Sequence, residues 1–167
     1  MIYIGVDPAF RDGGFRVAVV DMQRKCVEFK VMRDLFDWYE FVKRELSALP
    51  NCFVCIEDSS AQNLTFDMRG NRSEIARRSR NVGCNQAVSH LAVVAARKFM
   101  PSGRVFAISP REKGAKIQSH RTFDAFVNLH GLTILKKGAV TQDERDAFKL
   151  AMMLPTLIKF GHAKSSV

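Results

Sequence analysis

The sequence predicts one mixed α/β domain, a five-stranded sheet flanked by helices. Three observations carry that prediction. Residues 2–31 hold three short strand-like segments separated only by turns, which reads as an antiparallel meander. Beyond residue 50, apolar strand-like runs alternate with helical periods, the pattern of parallel strands joined by crossovers. The chain has 167 residues, 47% of them apolar, and no Pro/Gly linker or repeat divides it, so 1–167 is read as a single domain long enough to bury a real core.

The elements follow in order. "IYIGVD" (2–7) is a first strand, and "DPAFRDGG" is a turn with Asp12-Gly13-Gly14 as its hairpin signal. "FRVAVVD" (15–21) and "KCVEFKV" (25–31) are the second and third strands. Asp34 opens a helix with Leu35, Trp38, Val42, Leu46 and Leu49 on one face, and Pro50 ends it. "CFVCIE" (52–57) is continuously apolar, as a buried parallel strand should be. A polar, arginine-rich stretch covers 58–80. A long helix is expected over about 82–99, with Ala87, Leu91, Val94, Ala95 and Lys98 at helical spacing. "GRVFAIS" (103–109) is the fifth strand, a basic segment runs from Pro110 to His120, a helix covers about 119–130, and the last helix starts near Thr141.

Composition narrows the partners. Lys and Arg number 26 against 17 acids, a formal net charge of +9, which favours a polyanion and nucleic acid above all. No apolar run is long enough to span a bilayer and the start is already strand-like, so the expectation is a cytoplasmic protein without a membrane partner. Cys52 and Cys55 have a CxxC spacing, but an offset of three in a strand sends the thiols to opposite faces, so all four cysteines are read as reduced thiols rather than zinc ligands.

The chemistry lies in the acids. Asp7 and Glu57 each close an apolar strand at its carboxyl end, where ligands gather in open α/β sheets. Either alone reads as a turn cap. In "TQDERDAFKLAMML" (141–154), Thr141 and Glu144 form a capping box. Asp143 and Asp146 share the inward stripe with Ala147, Leu150 and Leu154, while Glu144 and Arg145 are expected to point elsewhere. Converging carboxylates repel unless cations neutralise them. Hard divalent ions take oxygen ligands, and a pair of them suits phosphodiester displacement. Two Mg2+ or Mn2+ ions are therefore expected at Asp7, Glu57, Asp143 and Asp146.

With these motifs in place the chain resembles the RuvC family of Holliday junction resolvases, in the RNase H-like superfamily. "IGVDPAFRDGGFRVAVVD" is similar to its opening strand and hairpin, and "VCIED" to its second motif. "NVGCNQAVSHLAVVAA" is similar to its long helix, with Gly83 near the start. "ISPREK" and "QDERDAFKLAMM" are similar to its "PxxxK" and "D-x-x-D-A" segments. The resemblance implies an RNase H-like fold and a metal tetrad of Asp7, Glu57, Asp143 and Asp146. It places Lys113, and near it Lys116, by the scissile phosphate. It also implies a homodimer, pairing through the long helix, that resolves four-way junctions by paired nicks without a nucleotide cofactor. The turn after Asp7 has no glycine before Gly13, and Asp58-Ser59-Ser60 replace the family's aromatic wedge, for which Phe66 is the substitute considered. Asn85 and Gln86 stand where small and basic residues are expected, and such departures resemble the phage-encoded branch.

Arg69, Arg72, Arg77, Arg78 and Arg80 follow the Glu57 strand and are expected to contact DNA phosphates. The alternatives are an RNase H-like nuclease acting on RNA–DNA hybrid and a non-catalytic branched-DNA-binding protein. An actin-like kinase would need a second domain and phosphate-cradling glycine loops, for which 167 residues are too few.

Overall fold

The structure is a computed structural model, and it describes residues 1–8, 14–61 and 71–160. The Asp12-Gly13 turn, Phe66 and Arg69 lie outside the described residues.

The strands are β1 (Ile2–Asp7), β2 (Phe15–Asp21), β3 (Cys26–Met32), β4 (Cys52–Glu57), β5 (Val105–Ile108) and β6 (Thr133–Ile134). They form one sheet in the order β5-β4-β1-β2-β3-β6. β1, β2 and β3 pair antiparallel, and β4, β5 and β6 join parallel. The mixed sheet is as expected but has six strands rather than five. The sixth has only two residues, too short to carry an alternation signal, and it is held by pairing with Cys26 and Val27.

The helices are α1 (Leu35–Phe41), which continues as a π-helical turn over Val42–Leu46, α2 (Arg72–Phe99), α3 (Pro110–Lys113), α4 (His120–Leu129) and α5 (Gln142–Phe160). Polar side chains set their starts: Asp34 accepts from the Asp37 N–H, Asn71 from the Glu74 N–H and Ser119 from the Thr122 N–H. The Asn71 cap explains why α2 begins ten residues before the expected 82. Its first turns carry Ile75 and Ala76 as their apolar residues among charged and polar ones, too few to form an apolar period that announces them.

Alternation along the strands builds two cores. Ile4, Val6, Val54 and Ile56 face α1 and α2, against Trp38, Phe41, Leu46, Ala92 and Ala96. Tyr3, Ala18, Val20 and Cys55 face α4 and α5, against Phe123, Ala147, Phe148, Leu150 and Leu154. Cys52 and Cys55 fall in opposite cores, as their offset requires. The stripe of α2 turned to the sheet is Ser89, Ala92, Val93, Ala95 and Ala96. Ala87, Leu91, Val94 and Lys98, assigned to one face with Ala95 from sequence, form an exposed stripe instead. Small residues win the inward side because they let the helix lie close, near enough for the Trp38 indole N–H to reach the Ala92 carbonyl at 3.0 Å.

Two glycines are needed by geometry. A Cβ on Gly5 would stand 1.8 Å from the Ala147 oxygen and 2.4 Å from the Ala151 nitrogen, so α5 lies directly on β1. Gly14 has φ +71°, the left-handed region open to glycine, where the chain enters β2.

Candidate active site

The contact of Gly5 with α5 positions the site. Asp7 is two residues beyond Gly5 on the same strand face, and Asp146 is one residue before Ala147. β1 and β4 run parallel with Val6 opposite Ile56, so Asp7 and Glu57 emerge side by side at the carboxyl ends of both strands. The helix-facing side of β1 thus delivers Asp7 to Asp146, and the same side of β4 delivers Glu57.

A lysine ammonium sits among these three acids. Lys113, at the end of α3, is buried; its Nζ contacts Glu57 Oε2 and lies 3.5 Å from Asp146 Oδ2 and 4.0 Å from Asp7 Oδ2. Lys116 Nζ reaches Asp146 Oδ2 at 3.4 Å from the solvent side. Ser109 and Glu112 close a capping box around α3, which fixes where Lys113 enters the cluster. Burial pushes the Asp7 carboxyl up to about 7, against the pull of Lys113 and with a further push from Glu57, Asp146 and Asp143. Burial disfavours the charged Lys113 too, but Asp7, Glu57 and Asp146 more than offset this, and its pKa is raised.

The N-terminus of α5 departs from the sequence expectation. Asp146 is fully buried as expected, but Asp143 is exposed, and Glu144 and Arg145 are buried. The chain on either side wraps this end of the helix, so inward and outward no longer follow one stripe. Glu144 does form the expected capping box, accepting from the Thr141 N–H at 2.7 Å while its own N–H donates to Thr141 Oγ1 at 3.3 Å. Lys136 also donates to Glu144, at 2.6 Å, and with the cap bonds holds its pKa below the ordinary value despite the burial that opposes this. Asp143 lies near enough to Asp7 to raise its pKa, at the edge of the cluster rather than inside it.

The acids offer oxygen donors only, the chemistry of a hard divalent cation. Asp146 Oδ2 is buried and accepts no hydrogen bond, although two ammoniums stand within ion-pair range, so it has capacity to spare for a cation. Among the described residues no three His, Cys, Asp or Glu side chains stand arranged as a metal cage. Lys113 is the cation the acids share. The oxygen donors of Asp7, Glu57 and Asp146 fit a divalent ion in chemistry, while their geometry here is set around the Lys113 ammonium.

Of the predicted arginines, Arg72, Arg77, Arg78 and Arg80 fall on the first turns of α2, all of them exposed. Where the expected aromatic wedge is replaced, Asp58 accepts from the Ser60 N–H at 3.0 Å, and the Ser59 and Ser89 hydroxyls meet at 2.8 Å, tying the end of β4 to α2. Sequence reasoning missed Gln142, whose Nε2 donates to Asp146 Oδ1 at 3.0 Å. Its i,i+4 spacing to Asp146 was the available signal.

No family model and no curated protein matches the chain. Among solved structures, the fold is similar to T. thermophilus RuvC in complex with Holliday junction substrate, at a TM-score of 0.51 and 16% identity over 98% of each chain. The chain thus has a RuvC-like fold of the RNase H-like class. The likeness covers essentially the whole chain. Among the described residues no helix is long and apolar enough to cross a membrane.

Proposed function

We propose that this protein is a structure-selective DNA endonuclease that resolves four-way junctions by paired nicks and depends on two divalent ions, Mg2+ or Mn2+. The observation that carries the reading is the convergence of Asp7, Glu57 and Asp146 around one ammonium at the carboxyl ends of β1 and β4. It occurs on a fold shared with a protein seen bound to a Holliday junction.

In this reading Asp7, Glu57, Asp143 and Asp146 hold the metal. Bound there, divalent ions supply charge stabilisation for the attacking and leaving oxygens of a phosphodiester. Lys113 and Lys116 place positive charge where the scissile phosphate must come, and the phosphate draws Lys113 away from the acids it neutralises in the free protein. Arg72, Arg77, Arg78 and Arg80, together with Arg69, contact phosphates and set affinity without reading sequence. A two-fold junction needs two active sites, which a homodimer supplies. The exposed stripe of Ala87, Leu91, Val94 and Lys98 on α2 is the surface we assign to that pairing.

The test is incubation of labelled four-way junction, fork, duplex and RNA–DNA hybrid with Mg2+ or Mn2+. Symmetric nicks in the junction are expected. Cleavage of hybrid alone would replace this reading with an RNase H-like one, and binding without cleavage would replace it with a DNA-binding role.

A further inference from the structure

Arg145 has no part in the reading above, yet it is buried, and a buried guanidinium needs acceptors for its five N–H donors. It finds them on three segments. Nε donates to the Ile117 carbonyl at 2.9 Å and Nη2 to the Gln118 carbonyl at 3.2 Å. Nη1 donates to the Val140 carbonyl at 2.8 Å, and the His120 ring stands 3.3 Å from the same nitrogen. Nη2 also donates to Gln142 Oε1 at 2.9 Å. None of these partners is a carboxylate, so the side chain acts as a connector and not as half of an ion pair.

Two consequences follow for the acids. First, Ile117 and Gln118 lie just past Lys116, so Arg145 ties the lysine-bearing segment to the first turn of α5. Lys149, one turn further along, holds the same segment by donating to the Ala115 carbonyl at 2.5 Å. Second, arginine only donates, so Gln142 must turn its carbonyl oxygen toward Arg145. Its amide nitrogen is then left to face Asp146, where it donates to Oδ1. Oδ1 is thereby occupied, and Oδ2 is the oxygen presented to Lys113 and Lys116.

We propose that Arg145 is a positioning residue of the active site, which locks the segment bearing Lys113 and Lys116 against α5 and, through Gln142, turns Asp146 Oδ2 toward the cation position. Its kinetic consequence rests on the nuclease reading; its structural consequence does not. Lysine cannot substitute, because its ammonium keeps the charge but lacks the planar fork that reaches three segments at once.

The experiment compares wild type, Arg145→Lys and Gln142→Ala by hydrogen exchange, by junction binding without divalent ions, and by single-turnover nicking in Mg2+. In Arg145→Lys the amides of 115–118 are expected to exchange faster while those of β1 and β4 keep wild-type protection. The nicking rate is expected to fall about 10–100-fold, as for other supporting-shell losses. Junction affinity stays at the wild-type value, a split that a merely structural role would not produce. Gln142→Ala is expected to lower the rate and leave 115–118 exchange unchanged. Wild-type exchange in 115–118 of Arg145→Lys, or a rate loss matched by weaker binding, overturns the proposal. If Arg145→Lys does not fold, a wild-type rate in Gln142→Ala overturns it. If wild-type protein nicks no DNA, the nuclease reading has failed by itself, and the exchange pattern still decides whether Arg145 holds the lysine segment.

Discussion

Replacing Lys113 by methionine keeps most of the stem and removes the ammonium. In the folded protein that ammonium is shared by Glu57, Asp146 and Asp7, and the side chain is only 5% exposed. Removing one partner of such a buried arrangement costs about 3–5 kcal/mol, because the remaining charges are left uncompensated. For a domain of this size about 2–4 °C of melting temperature goes with each kcal/mol, so the variant should melt about 6–20 °C lower without divalent ions. The loss depends on pH, and its sign is fixed by Asp7. Its folded pKa, about 7, lies above the ordinary 3.8, so the folded state holds a proton that the unfolded chain has released. Stability therefore declines as pH rises from about 4 to about 7 and is flat above. Without Lys113 the carboxyl is pushed higher still, so the difference between variant and wild type is larger at pH 8 than at pH 6. A divalent ion that takes the ammonium's place restores stability by mass action, about 2.7 kcal/mol at 100 times its Kd. Thermal melts by circular dichroism at both pH values, with EDTA or Mg2+, measure all of this. A Lys113→Met variant that melts with the wild type at pH 8 in EDTA would refute the reasoning.

Other expectations follow from the same geometry. Asp7→Asn should melt higher than wild type at pH 8 in EDTA, because it removes a carboxylate whose charged form burial disfavours, and should lose nicking in Mg2+ while binding junction at least as tightly; a lower melting temperature would contradict the buried-charge argument. Gly5→Ala should cost about 3 kcal/mol or more in denaturant unfolding, since the atoms in its way are α5 backbone that cannot turn aside. Any folded Gly5→Ala protein should also lose activity, because moving α5 moves Asp146. Arg77→Ala combined with Arg78→Ala should weaken binding to all branched DNAs alike and flatten the log–log salt slope by about 0.9 for each phosphate no longer neutralised; an unchanged slope removes the start of α2 from the interface.

The sheet was legible because its strands carry strong local patterns. β1 and β4 end on acids after unbroken apolar runs, and the α5 start is marked by a capping box that the structure contains. The unforeseen parts are those where tertiary wrapping overrides local period. Asp143 satisfies the inward spacing of α5 yet is exposed, while Glu144 and Arg145 are covered by the chain at 136–141 and at 117–120. No periodicity reports a loop that folds over a helix end. The inward side of α2 was misjudged because hydrophobicity marked Leu91 and Val94, whereas close packing selects Ala92 and Ala96. The start of α2 stayed hidden because Ile75 and Ala76, alone among polar and charged residues, make no amphipathic signature. Lys113 was placed by resemblance to a motif; nothing in its local sequence announces an ammonium buried among three acids.

The central claim is that the acids around Lys113 cut branched DNA, and strand-resolved nicking of a labelled four-way junction tests it most directly. Wild type and Asp146→Asn are compared at pH 8 with Mg2+ and with EDTA. Paired nicks at symmetric positions on opposing strands are predicted for wild type in Mg2+, with none in EDTA and none in Asp146→Asn, while both proteins shift the junction equally in a binding assay. Nicking by Asp146→Asn at the wild-type rate, or an intact junction under every condition, would contradict the account.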